Sequence, residues 1–149
     1  MGRSKKINLV IDETVLARYN EYYFSIHTRA KKPPIKQPYH ESINQWMILR
    51  RPMMNALKAK WKDFIKWFIG DLGYANLKIE RCEILQTVYF PNNRRHDIDN
   101  TVPKFILDGF VESGFIVDDD CLHIEELRMR CHTNQEHPRT EFEIKVLKG

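Results

Sequence analysis

The feature that most constrains this sequence is a long amphipathic segment that begins at Pro52. Its apolar residues recur at steps of three and four, which places them on one face of an α-helix. Proline is tolerated at a helix start because the N–H that it lacks would have no partner there. Gly70 and Gly73 are typical of a helix end. The predicted buried face comprises Met54, Leu57, Trp61, Phe64, Phe68 and Leu72.

Shorter segments around this helix alternate apolar and polar residues, as β-strands with one buried face do. Strands are predicted at 6–11, 77–90, 125–131 and 141–147, and a second helix runs from Pro103 to Ser113 with Gly114 as its stop. The residues between the first strand and the long helix are predicted to be irregular. We therefore expect a single domain, residues 1–149, of α/β (α+β) class, with a mixed sheet packed against at least two helices.

The composition is that of a folded protein, because 42% of the residues are hydrophobic. No apolar run approaches the length of a bilayer span, and the first residues lack the apolar core of a signal peptide. We therefore expect a cytoplasmic protein without a membrane partner.

The cysteines, Cys82, Cys121 and Cys131, are odd in number and lie in apolar or alternating contexts. This pattern favours reduced core thiols over disulfides. A zinc site formed by Cys121, His123, Cys131 and His132 is the alternative, although the chain has no C-x-x-C pair of the kind that structural zinc sites use.

Charge is divided along the chain. Residues 22–62 carry nine Lys or Arg and one acid, whereas residues 97–126 carry nine acids and one base. A basic segment is suited to bind a polyanion, and an acidic segment is suited to bind a metal ion. Either segment alone is equally typical of a solvated surface. The candidate DNA contacts are Arg29, Lys31 and Lys32 in a proline-rich loop, and Lys58, Lys62 and Lys66 at four-residue steps on the long helix.

The acidic half begins with Asp97 and Asp99. On an extended segment, carboxylates at i and i+2 point the same way. Their mutual repulsion favours proton uptake unless a cation lies between them, and Mg²⁺ prefers such oxygen ligands. Arg94, Arg95 and His96 precede the pair and are suited to contact phosphate, although His96 can equally be a structural side chain. The segment is therefore a candidate metal site beside a nucleic-acid backbone.

Two other families that contain acidic pairs of this kind are excluded. An EF-hand loop starting at Asp97 requires Gly and Glu where this chain has Val102 and Asp108. An aspartyl phosphatase carries its acids after a buried apolar strand, whereas polar and basic residues precede Asp97.

The remaining pattern is specific from Arg94 to Asp119. The run Arg94-Arg95-His96-Asp97-Ile98-Asp99-Asn100, then Lys104, Ile106-Leu107-Asp108-Gly109, and Gly114-Phe115-Ile116 before Asp118-Asp119, resembles the RusA family of Holliday junction resolvases. The resemblance implies that Asp97, Asp99 and Asp119 are metal-binding catalytic acids and that Lys104 meets the substrate phosphate. Lys104 lies one residue further from Asp99 than in the shortest family members. Asp118 and Asp120 remain alternative ligands, and a solvated turn is the alternative for the triple Asp.

The same resemblance implies a metal-dependent endodeoxyribonuclease that uses Mg²⁺, with Mn²⁺ as a possible substitute, and no small-molecule cofactor. Its substrate would be the four-way DNA junction of recombination and repair, cut by paired phosphodiester hydrolysis. Because a junction has two-fold symmetry, a homodimer is expected. The alternatives are a non-cleaving protein that binds branched DNA and a Mg²⁺-dependent nuclease for another nucleic-acid structure. The number of metal ions, and whether the chain comes from a phage or a chromosome, stay open.

Overall fold

The computed structural model describes residues 5–149, which form four strands, four α-helices and one 3-10 helix. The prediction of a single-domain α+β fold with a mixed sheet is confirmed. The elements in chain order are β1 (Lys5–Asp12), α1 (Glu13–Ile26), α2 (Ile43–Trp46), α3 (Arg51–Asp71), β2 (Arg81–Phe90), a 3-10 helix (Ile98–Thr101), α4 (Lys104–Glu112), β3 (Ile124–Thr133) and β4 (Arg139–Lys148).

The four strands form one sheet in the order β1-β4-β2-β3. β4 is antiparallel to both of its neighbours, whereas β3 runs parallel to β2. β3 and β4 follow one another in the chain but are not adjacent. The polar connection predicted between them therefore carries the chain across β2.

One face of the sheet is apolar and contributes to the core. Ile7 and Leu9 of β1 lie opposite Ile144 and Phe142 of β4, and all four are buried. The predicted inward face of β2 is confirmed, since Cys82, Ile84, Gln86, Val88 and Phe90 are all buried. The other face carries ion pairs between neighbouring strands, including Lys6–Glu143 at 3.1 Å and Lys145–Glu83 at 3.7 Å.

Helices α3 and α4 pack together over the apolar face. The predicted core positions Trp61, Phe64 and Phe68 are buried. Leu72 was predicted to be buried and is 42% exposed, because it lies just beyond the end of α3. Ile65 and Ile69 complete the buried face instead.

The two helices approach closely at Gly109 of α4. A Cβ placed on Gly109 would lie 2.6 Å from the Cβ of Ile65 in α3. The glycine is therefore required by the short distance between the helices, since any side chain would push them apart.

The prediction that the chain is irregular after β1 is wrong for residues 13–26. Asp12 ends β1 and caps α1, because its Oδ1 accepts a hydrogen bond from the Val15 N–H at 2.9 Å. Leu16 and Tyr19 then anchor α1 to the core. Their three-residue spacing is helical.

β2 starts four residues later than predicted. Asn76 and Lys78 have positive φ angles of 64° and 53°, which an extended strand excludes. Residues 77–80 therefore lie outside the strand, and their one β-type pairing is an isolated bridge between Ile79 and Ile116.

All three cysteines are free, as expected for reduced thiols. Cys82 is buried and Cys131 partly buried, but Cys121 is exposed and does not belong to the core. None of the helices within residues 5–149 combines the length and the apolar content needed to span a bilayer.

Candidate metal and nucleic-acid site

The acidic motif lies on an exposed segment between β2 and α4. The His96 ring stacks on Phe90, the last residue of β2, with ring centroids 3.6 Å apart and planes 3° apart. The Gln86 side-chain amide donates a buried hydrogen bond of 2.9 Å to the Thr101 carbonyl oxygen at the end of the 3-10 helix. The sheet therefore holds the motif at both ends, and His96 has a structural contact.

Asp97 and Asp99 do not lie on an extended strand, so that part of the prediction is wrong. Asp97 is the residue before the 3-10 helix, and Asp99 lies within it. Side chains rotate around a 3-10 helix instead of alternating between two faces. The Asp97 carboxylate is 54% exposed, and its Oδ1 lies 3.3 Å from the Arg95 Nε.

Lys104, the first residue of α4, lies near enough to Asp119 for its charge to affect the pKa of that carboxyl. The Lys104 Nζ lies 3.4 Å from Asp108 Oδ1, one helical turn on. Burial is the main cause that raises the pKa of the Asp119 carboxyl. The Lys104 charge lowers this pKa and the Asp108 charge raises it, and the net effect is an increase. These two predicted site residues therefore share one electrostatic environment, together with Asp108.

The predicted trio of Asp97, Asp99 and Asp119 does not converge to metal-ligand spacing. Among residues 5–149, the group that does so is Asp118, Asp120 and His123, whose ligand atoms lie within 4.8 Å of one another. The His123 Nδ1 lies 2.5 Å from Asp120 Oδ1, and this hydrogen bond is the main cause that lowers the pKa of Asp120. No zinc-type grouping of cysteine with histidine is found in the described part of the chain.

The triple Asp also forms a hydrogen-bonded turn. Asp118 Oδ1 accepts from the Asp119 N–H at 2.7 Å, and Asp120 Oδ1 accepts from the Leu122 N–H at 3.0 Å. Asp118 and Asp120 thus contribute to the turn that orients Asp119.

The predicted lysine stripe lies along the contact between α3 and α4. The Lys58 Nζ is 3.8 Å from Asp108 Oδ2, and the Lys62 Nζ is 3.6 Å from Glu112 Oε2. Lys66 has no ion-pair partner within residues 5–149. Two of the three lysines are therefore already paired with acids of α4.

The basic residues of the proline-rich loop differ from the lysines of α3 in their ion pairing. Arg29, Lys31 and Lys32 are exposed on the irregular segment that follows α1. The described residues provide no acidic partner within ion-pair distance for any of them. Their charges are available to a ligand.

His40 connects this irregular segment to α4, and no sequence motif indicates this role. Its Nε2 accepts a hydrogen bond from the Phe105 N–H at 3.0 Å, so the proton resides on Nδ1, which lies 2.6 Å from the Glu41 carbonyl oxygen. Burial lowers the pKa of His40 to about 4. The neutral ring therefore takes the place of a helix cap at α4, where Pro103 makes no side-chain cap.

Glu41 fixes the same segment to α3. The Trp61 Nε1–H donates to Glu41 Oε1 at 2.7 Å. Burial raises the pKa of Glu41, and this hydrogen bond opposes the increase. No sequence pattern could have found His40 or Glu41, because their partners lie far away in the chain.

A cavity of about 440 Å³ separates the segment at 37–45 from the segment at 92–101. Asp97, Arg94 and His96 line one side, and Tyr39 and Asn44 line the other.

The chain matches no protein-family model, and no curated protein is similar to it at a significant level.

Proposed function

We propose that this chain is a metal-dependent endodeoxyribonuclease of the RusA type that cleaves four-way DNA junctions. The observation that supports it most is the grouping of Lys104 with Asp119 and Asp108 near the start of α4, four residues after Asp97-Ile98-Asp99-Asn100. A cation close to several carboxylates is what hydrolysis of a phosphodiester requires.

The donor types fit a hard cation, since carboxylate oxygens are the ligands that Mg²⁺ prefers, and Mn²⁺ accepts the same set. Asp97, Asp99 and Asp119 would hold the ion. Because these acids are not at ligand spacing, their side chains would have to approach one another on binding. A bound ion would polarise the scissile phosphate and lower the pKa of a water molecule.

The basic side chains of the protein would orient the DNA. Lys104 is half-exposed and its ammonium lies at the start of α4, where it would offset charge that develops on the phosphoryl oxygens. Arg94 and Arg95 precede the acids on an exposed segment and would contact neighbouring phosphates. Arg29, Lys31 and Lys32 would extend this contact along a DNA arm.

The branched substrate, the homodimer and a role in recombination and repair come from the family resemblance. A four-way junction must be cut at two symmetric positions, and a two-fold dimer provides one acid group for each. Such a role would place the protein in the cytoplasm.

The test compares wild type with Asp97→Asn on labelled junction, duplex and single strand. Wild type should cut the junction in Mg²⁺ and not in EDTA. The Asn side chain keeps the shape but lacks the charge that holds a hard cation, so cleavage should almost vanish. Junction binding in EDTA should be equal or tighter, because one negative charge near the phosphates has gone. Asp63→Asn, an exposed acid of α3, is the matched control and should cut normally.

Each alternative predicts a different result. Junction binding without cleavage by wild type would indicate a non-cleaving branched-DNA-binding protein. Equal cleavage of duplex or single strand would indicate a nuclease with another substrate. An Asp97→Asn protein that cuts at the wild-type rate would contradict the role given to Asp97.

A further inference from the structure

The cavity between 37–45 and 92–101 has an aromatic wall beside the acidic segment. Phe90 contacts the Tyr39 ring edge-on at 4.9 Å and stacks with the His96 ring at 3.6 Å. Asp97 lines the same cavity. Its volume of about 440 Å³ lies in the range of small-ligand pockets. Aromatic rings thus form part of the cavity lining next to Asp97.

The polar part of the lining has unused hydrogen-bonding capacity. Asn44 and Asn100 line the cavity, and within residues 5–149 neither side-chain amide makes a hydrogen bond. Gln45 differs, because its side chain and the Ser42 hydroxyl form a capping box at α2. Arg94 also lines the cavity and has no acidic partner in the described chain. Free amides pair with base edges, and an unpaired guanidinium binds phosphate.

An exposed apolar tip follows α2 directly. Met47 is 61% exposed and Ile48 is 82% exposed, so two neighbouring large apolar side chains lie in solvent. Arg50 and Arg51 come next and are also exposed. DNA-binding proteins use apolar side chains flanked by basic residues as wedges between neighbouring base pairs. Because Asn44 lies on α2, the tip and the cavity are built on the same element.

We propose that the cavity receives one unstacked nucleobase of the DNA strand bound at the Asp97 site, and that Met47 and Ile48 fill the space that this base leaves in the stack. The inference rests on the proposed function and adds the part of the substrate that the site reads. Bases at a branch point lose a stacking neighbour, so they cost less to unstack than bases within a duplex. Asn44 and Asn100 would then discriminate between bases, while Arg94 holds the adjoining phosphate.

The test uses four-way junctions that carry 2-aminopurine at single positions beside the cut site, bound in EDTA so that the DNA stays intact. Wild type should raise the fluorescence several-fold at one position, because 2-aminopurine is quenched in the stack. The double variant Met47→Ser with Ile48→Ser should lose most of this increase. Asn44→Ala should keep the increase and reduce the preference among the four bases about ten-fold, as expected for a lost amide–base contact.

Ile26→Ser is the matched control, since Ile26 is 57% exposed at the far end of α1 and does not line the cavity. It should change neither the fluorescence nor the base preference. A wild-type protein that cuts junctions while 2-aminopurine stays quenched at every tested position overturns the inference and leaves the proposed function standing. If wild-type protein shifts no DNA in a gel, both this inference and the proposed function are contradicted.

Discussion

Helix α4 and the segment that leads into it are held in different ways. α4 is fixed by shape, since Phe110 is fully buried and Gly109 lies against Ile65 of α3. The preceding segment at 91–100 is largely exposed and is held by a few specific contacts, chiefly the stack of His96 on Phe90. The core therefore positions Lys104, whereas single side chains position Asp97 and Asp99. The candidate acids can therefore be displaced without unfolding the protein.

The largest expected effect concerns His40, which joins the two regions through its hydrogen bond to Phe105. Burial holds the pKa of His40 at about 4 in the folded protein, against 6.5 for an ordinary histidine. Between these values the unfolded chain binds more protons, so acidification from pH 6.5 to pH 4 removes stability, by roughly 3 kcal/mol. The free energy of unfolding of wild type and of His40→Gln is measured with denaturant at pH 6.5 and at pH 4. Between these pH values, the difference between the two proteins should change by this amount in favour of the variant.

The raised pKa of Glu41 acts in the opposite direction, because its folded state is favoured when the carboxyl takes up a proton. Glu41 is present in both proteins, so its effect cancels in the comparison. A stability difference that is constant from pH 7 to pH 4 would mean that His40 is not held neutral by burial.

The second prediction sharpens the idea that shape fixes α4. Gly109→Ala should destabilise the protein by about 1–3 kcal/mol, because the added methyl meets Ile65. Gly70→Ala in α3 is the control, since nothing lies within 4 Å of its added Cβ. It should stabilise the protein by about 0.5–1 kcal/mol through helix propensity. Thermal unfolding of the two variants should therefore shift in opposite directions, and equal shifts would remove the close contact as an explanation.

The smallest expected effect on stability belongs to His96. His96→Ala should cost less than about 1 kcal/mol, as for one exposed aromatic pair. Amide hydrogen exchange of residues 94–100 should nevertheless become faster, because the segment loses its anchor on Phe90. His132→Ala removes a comparable ring from Tyr89 on the sheet and should leave exchange at 94–100 unchanged. Unaltered exchange in His96→Ala would show that other contacts hold the acids.

The sequence predicted the elements whose own residues define a buried face. The apolar stripe of α3, the inward residues of β2 and the whole of α4 follow from local periodicity. α1 was missed, although Asp12 and the spacing of Leu16 and Tyr19 indicate a helix, because the whole stretch between the first strand and the long helix was predicted to be irregular. Leu72 was misplaced because the pattern continues one residue beyond the last helical turn.

The site was harder to predict because its geometry depends on distant partners. The 3-10 helix that contains Asp99 is held by Gln86, and nothing local in the motif indicates that contact. Similarly, the stripe on α3 is regular in sequence, but which of its lysines meet acids depends on the side from which α4 packs. Residue types were therefore identifiable, whereas their mutual positions were not.

The order of the strands has a consequence for how the protein is made. β4, the last strand of the chain, lies between β1 and β2, so Lys5 pairs with Val146 and Ile84 with Ile144. While a ribosome is still adding residues before Arg139, β1 and β2 have no antiparallel partner, and their apolar faces and open edges are available to other nascent chains. Sheets closed by such distant segments form late and slowly. The apolar faces of β1 and β2 thus stay open to aggregation until β4 has been synthesised.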